Sequence, residues 1–108
     1  MPPGRGVSAA HWELAVCESV RNLACVGAWP LALTDCLNYG NPEKGGPFAA
    51  FAEGVRGIGR ACREIGRMAE DEDGDAPGHP IPVISGNVSF YNESAQGKAI
   101  PPSPVVAL

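Results

Sequence analysis

A chain of 108 residues with 44% hydrophobic content is long enough to bury one core and too short for two domains of ordinary size. Its formal net charge of -4 argues against nucleic acid as a partner, because such binders present a basic face. The 14 glycines and 11 prolines call for short elements joined by many loops.

Ser8 is placed to cap a helix. After it Trp12, Val16, Val20 and Leu23 recur every three or four residues as one apolar stripe, with Glu18 and Arg21 paired away from it. Gly27 is a suitable stop, so the first helix is expected from about Ser8 to Val26. In AWPLALTDC, Pro30 disfavours a helix and the apolar run is short, which predicts a strand over Pro30 to Asp35. The polar stretch Cys36 to Gly46 then reads as a loop, and nothing in TDCLNYGNP (Thr34 to Pro42) reads as core.

Pro47 suits the first turn of a helix, where its missing N–H is not needed. Phe48, Phe51, Val55, Ile58, Cys62 and Ile65 follow at intervals of three or four and predict an amphipathic helix ending near Met68. Glu70, Asp71, Glu72, Asp73 and Asp75 then crowd like charges around one glycine, so residues 69–80 read as an acidic surface loop. Their spacing does not match a calcium loop. IPVIS predicts a strand, and GNVSFYNES, with Val88 and Phe90 alternating against Ser89 and Tyr91, predicts another. SAQGK is a turn, and AIPPSPVVAL begins a further extended segment whose prolines limit its pairing. The expected order is helix, strand, helix and three strands. That is an α/β or α+β domain with two helices packed on one face of a small mixed sheet.

Cys17, Cys25, Cys36 and Cys62 form no C-x-x-C pair, and His11 and His79 complete no zinc pattern. The amino-terminal stretch has no apolar signal core and no run is long enough to span a bilayer, so the expectation is a cytosolic (cytoplasmic) protein with reduced thiols. Chemistry is expected in two polar segments, TDCLNYGNP and SGNVSFYNES, each placed at the exit of a strand. Asp35 offers an anionic oxygen and Asn38, Asn41 and Asn87 offer amide oxygens, which suit magnesium. Gly86 leaves room for close approach of a phosphate or nucleotide, and Ser89 adds a hydroxyl. The same residue types also make Asx-turns and bends, so both readings stand on composition alone. No phosphate loop of the G-x-x-x-x-G-K-[ST] type is present, and Cys36 beside Asp35 reads as structural because the carboxylate disfavours its thiolate.

Taken in order, TDCLNYGNPEK, FAEGVRGIGRACREIG, PVISGNVSFYNES and GKAIPPSPVV resemble phosphoribosylformylglycinamidine synthase, in its synthetase subunit or domain. SVRNLACVGAWPLAL fits the segment that precedes them, so the resemblance runs from about Ser8 to Val106. It implies a domain of the aminoimidazole-ribonucleotide-synthetase amino-terminal type, whose sheet meets another sheet. The activity it implies is conversion of formylglycinamide ribonucleotide to the amidine with ATP, magnesium and glutamine-derived ammonia, through phosphoryl activation of the amide oxygen. Matched position by position, Asp35 and Gly86 are implied as nucleotide contacts, Asn87 as a magnesium ligand and Ser89 as a substrate contact. The family's catalytic histidines have no counterpart here, which implies a single-domain fragment, inactive alone. Its implied partners are the remaining synthetase domains and a glutaminase domain or subunit. Residues 69–80 read as an insertion relative to the family. A related ATP-dependent synthetase or kinase, or a non-catalytic nucleotide-binding and association module, is the alternative.

Overall fold

The computed structural model of the chain describes residues 9–68 and 78–108. Five elements follow one another: α1 (Ala9–Ala24), β1 (Leu33–Asn38), α2 (Gly45–Met68), β2 (Val83–Ser89) and β3 (Ser103–Ala107). The strands form one sheet in the order β2-β1-β3. β1 runs parallel to β2, joined to it through α2, and antiparallel to β3. The sheet is therefore mixed, as its connections require: a helical crossover returns a strand in parallel, and the turn-bearing segment after β2 returns the chain in the opposite sense.

α1 ends as its sequence dictates. Gly27 takes a φ of 75°, the Ala28 amide donates to the Leu23 carbonyl and the Gly27 amide to that of Ala24, both at 3.0 Å. These two bonds satisfy carbonyls that the last helical turn leaves open. Its other end is held by α2: the Glu53 carboxylate accepts the Ala9 amide at 3.1 Å, an anion placed where the helix dipole favours one. The Ser8 cap and the acidic segment up to residue 77 lie outside the described residues.

The core joins Val16 of α1, Leu33 and Leu37 of β1, Tyr39, and Ala50, Ile58, Ala61 and Cys62 of α2 to Ile81. Both helices thus sit on one face of the sheet. The buried side of α2 keeps part of the stripe its large residues suggest: Ile58 and Cys62 are buried and Phe51 and Ile65 pack against the core, whereas Phe48 and Val55 are exposed. Ala50, Gly54, Gly57 and Ala61 are buried beside it. A Cβ at Gly57 would overlap the Ala9 carbonyl and one at Gly66 the His79 carbonyl. Small residues, rather than large ones, let α1 and the chain entering β2 approach the helix backbone.

Two strand expectations need correction. β1 begins at Leu33 and runs through Asn38, so Cys36, Leu37 and Asn38, the first residues of the expected loop, belong to the central strand. Leu37 and, just past the strand, Tyr39 are core, Tyr39 being 1% exposed. Side chains alternate along a strand, and Leu33, Asp35, Leu37 and Tyr39 continue one face. IPVIS and GNVSFYNES are one strand rather than two, because Gly86 pairs in register within β2 and the strand ends at Ser89. Beyond it Tyr91 adopts a φ of 61° as its amide turns back to the Gly40 carbonyl at 3.0 Å. SAQGK turns as expected, with the Gly97 amide donating to the Ser94 carbonyl at 2.9 Å.

Candidate functional site

The two polar segments lie side by side along adjacent strands and run past their ends, with Asp35, Gly86, Asn87 and Ser89 inside the strands. Asp35 is the register partner of Gly86, Cys36 of Asn87 and Asn38 of Ser89. The four candidate residues Asp35, Gly86, Asn87 and Ser89 therefore occupy three rungs within a run of four, the Leu37–Val88 rung lying between the last two. Alternation divides them. Asp35 and Gly86 share the helix-covered face with Leu37 and Val88, whereas Asn87 and Ser89 share the open face with Cys36 and Asn38. The open face is linked across strands by the Ser85 hydroxyl, which donates to Thr34 Oγ1 at 2.7 Å.

Gly86 has a local reason to be glycine. A Cβ there would overlap Asp35 Oδ1 and lie 2.8 Å from the Asp35 carbonyl oxygen. The space left by the missing side chain holds the Asp35 carboxylate, which lies over the backbone of β2. Among the described residues this carboxylate has no hydrogen-bond or ion-pair partner, and desolvation by burial raises its pKa above the ordinary 3.8. Beside it, between α2 and the edge strand β2, opens a groove. One cavity of about 440 Å³ has Asp35, Leu37, Phe51, Gly86 and Val88 in its lining, together with the polar Ser85 and Asn87. A second, of about 260 Å³, shares Asp35, Leu37 and Val83 and reaches Val55, Ile58 and Gly59.

Other polar residues of the segments are engaged structurally. Asn38 donates from its amide to the Ser103 carbonyl at 2.9 Å and ties β1 to β3. Asn41 accepts the Glu43 amide at 2.9 Å in an Asx-turn that leads into α2. Asn92 donates to the carbonyls of Tyr39 at 3.0 Å and Ser89 at 2.9 Å, and to the Ser89 hydroxyl at 3.1 Å. It clamps the ends of β1 and β2 and orients Ser89. Asn87 is exposed, and no described side chain bonds its amide. The floor next to the groove is aromatic: Phe51 meets Tyr39 edge-on at 5.4 Å between centroids and Phe90 at 5.1 Å.

The sequence reading missed Phe51 as a groove wall, Asn92 as a clamp and Tyr39 as core. Only Tyr39 carried a signal, the period-two alternation from Leu33. The Tyr39 hydroxyl and Trp12 Nε1 are buried without hydrogen-bond partners among the described residues. Burial, and secondarily the Asp35 charge, push the Tyr39 pKa up to about 12. All four thiols are unpaired. No group of three or more His, Cys, Asp or Glu among the described residues is arranged to hold a metal, and no described helix is long and apolar enough to cross a membrane.

Two helices on a three-stranded mixed sheet, with a carboxylate and a glycine paired across its parallel strands, define a class that the comparisons identify. Residues 12–108 match the family described as AIR synthase related protein, N-terminal domain, and the chain belongs to that family. Within it, the relatives are phosphoribosylformylglycinamidine synthase subunits PurL. That of Methanothrix thermoacetophila is 48% identical over 107 residues, covering 97% of this chain and 13% of the relative. That of Moorella thermoacetica is 52% identical over 95 residues, or 88% of this chain and 11% of the relative. A solved structure of T. maritima PurL complexed with ATP aligns with a TM-score of 0.68 and 39% identity over 88% of this chain and 13% of that one. A structure of PurLQS from Thermotoga maritima aligns equally well. The chain thus spans roughly an eighth of the length of these relatives.

Proposed function

We propose that this domain supplies part of a nucleotide–magnesium site to an ATP-dependent C–N ligase of purine biosynthesis. That ligase converts formylglycinamide ribonucleotide and glutamine-derived ammonia to the amidine. The carrying observation is the Asp35–Gly86 rung, which sets an unpartnered carboxylate at the mouth of a groove beside the parallel strands. Further support comes from the 39% identity to a PurL that was solved with ATP. In this reading Asp35 and Gly86 contact the nucleotide, and Ser89, oriented by Asn92, contacts the ribonucleotide substrate from the open face.

The donor set fits magnesium in the sense that the ion takes few protein oxygens and leaves the rest of its octahedron to phosphate and water. Asn87, with its amide free on the open face, would be such a ligand. Bound there, magnesium would neutralise charge on a phosphoryl group in transfer. The chain's own residues orient the reactants. The glutaminase, fused or separate, and the other synthetase domains are the proposed partners, and the proposed compartment is the cytoplasm.

The same observation favours a second reading, a domain that binds nucleotide and associates without turnover. Replacing Asp35 and Asn87 by alanine, singly, in the full-length synthetase separates the readings. The ligase reading expects turnover to fall at least tenfold in each. Lowered nucleotide occupancy with normal turnover supports the non-catalytic module. Unchanged ATP affinity together with unchanged turnover would refute both.

A further inference from the structure

Among the described residues Tyr91 is the only one other than glycine with a positive φ, at 61°. A Cβ crowds the following carbonyl in this region, so glycine or asparagine is its ordinary occupant and a bulky ring is rare there. The backbone is held in this conformation from both sides. The Tyr91 amide donates to the Gly40 carbonyl at 3.0 Å and the Asn92 amide to that of Tyr39 at 3.2 Å. The Asn92 side chain donates to the carbonyls of Tyr39 and Ser89, at 3.0 and 2.9 Å, and the Asn92 backbone carbonyl accepts the Ile100 amide at 3.0 Å. None of these bonds uses the Tyr91 side chain, so the turn needs a left-handed residue but not a tyrosine.

Packing does not explain the ring either. It is 59% exposed and stands outside the core. Phe90, one residue earlier, is the side chain that packs on Phe51. The Tyr91 hydroxyl has no hydrogen-bond partner among the described residues. An aromatic side chain at a strained position, contributing nothing to the core, is what a binding surface selects. Its place fits that role. Tyr91 lies two residues beyond Ser89, and Asn92 on its other side donates to the Ser89 hydroxyl at 3.1 Å. A phenol ring there offers an apolar surface to the carbon face of a sugar, beside a hydroxyl that can bond the same ligand. Resting on the ligase reading above, we infer that Tyr91 is a substrate-binding residue whose ring lies against the ribose of the ribonucleotide while Ser89 bonds one of its polar groups. The interaction that offsets the strain at Tyr91 is then made with the ligand and not within the protein.

The test pairs stability with kinetics. Tyr91→Asn suits a left-handed backbone and removes the ring, so the unfolding midpoint of the 108-residue chain should equal or exceed the parent's. In the full-length synthetase the same substitution should raise KM for formylglycinamide ribonucleotide at least fivefold and leave KM for ATP within twofold. Tyr91→Phe, which keeps the ring, should stay within twofold for both. A lowered midpoint in Tyr91→Asn, or an unchanged ribonucleotide KM at any midpoint, would overturn the inference. Unchanged kinetics with loss of assembly in sedimentation would overturn it in favour of a protein contact. A loss in Tyr91→Phe as large as that in Tyr91→Asn would overturn the ring contact. Ser89→Ala separates the inference from the reading beneath it. If Ser89→Ala raises the ribonucleotide KM and Tyr91→Asn does not, only the Tyr91 assignment falls. If neither does, the substrate reading of the open face falls with it.

Discussion

The Asp35 carboxylate lies over Gly86 against apolar groove walls, and loss of water there raises its pKa above 3.8. The folded state therefore holds the proton to a higher pH than the unfolded state. Stability that is fully present below pH 3.8 declines as pH rises through the raised value and stays lower above it. Asp35→Asn mimics the protonated side chain. Its unfolding midpoint should match the parent at acidic pH and exceed it at neutral pH, as thermal unfolding across that range would record. A midpoint equal to or below the parent's at pH 7 would mean that the carboxylate has an unrecognised cationic partner. Such a residue, strained electrostatically in its own fold, is what a binding site retains against stability. Tyr39 follows the same sign at the alkaline end. Its phenol holds its proton to about pH 12, so ultraviolet titration should show one tyrosine ionising only as the chain unfolds, and Tyr39→Phe should abolish that late step.

Where α2 meets α1 and the end of β1, the fit depends on Gly54. A Cβ there would overlap the Tyr39 hydroxyl and sit 3.3 Å from Trp12 Cδ1 and Nε1. Gly54→Ala should destabilise the chain by ~1–3 kcal/mol, the range for overpacking a core. Tyr39→Phe removes the hydroxyl, which is buried and unpartnered among the described residues, so alone it should be neutral or stabilising. Combined, it should recover more than half of the loss in Gly54→Ala. Strict additivity in a denaturant double-mutant cycle would show that the two do not touch. Much at this scale was legible in the sequence. Gly27 gave the end of α1, and the three-to-four spacing gave both helices. The stripe of large residues gave only part of the buried side of α2, through Phe51, Ile58, Cys62 and Ile65, because a helix crossing this close also selects glycine and alanine, and hydrophobic periodicity weights large side chains. The rung that joins Asp35 to Gly86 was not legible, since composition fixes neither register nor the passage of a strand through glycine. The residue types of the candidate site were readable, but the division of its members between two faces was not.

On the scale of the whole molecule, the sheet has two unlike edges. β3 carries Pro104 and follows Pro101 and Pro102, which cannot donate to a neighbouring strand. β2 is seven residues long, contains no proline or lysine, and exposes Val83, Ile84 and Val88, Ile84 by 70%. Protective devices of edge strands are thus present on one side and missing on the other. The open face adds Val105 at 59% exposure among small polar residues, and no described element covers it. Surfaces of this kind are expected in a domain whose sheet meets another. The isolated chain should therefore self-associate or be poorly soluble, with β2 as the more adhesive edge. Ile84→Lys should shift sedimentation toward monomer and raise solubility several-fold, whereas Val105→Lys should do so only if the open face contributes. A parent chain that sediments as a clean monomer over a wide concentration range would contradict the association. Association unaffected by Ile84→Lys and abolished by Val105→Lys would move the contact from the edge of the sheet to its face. In the full-length synthetase, Ile84→Lys should then leave assembly intact, because the edge would not be the surface that the neighbouring domains occupy.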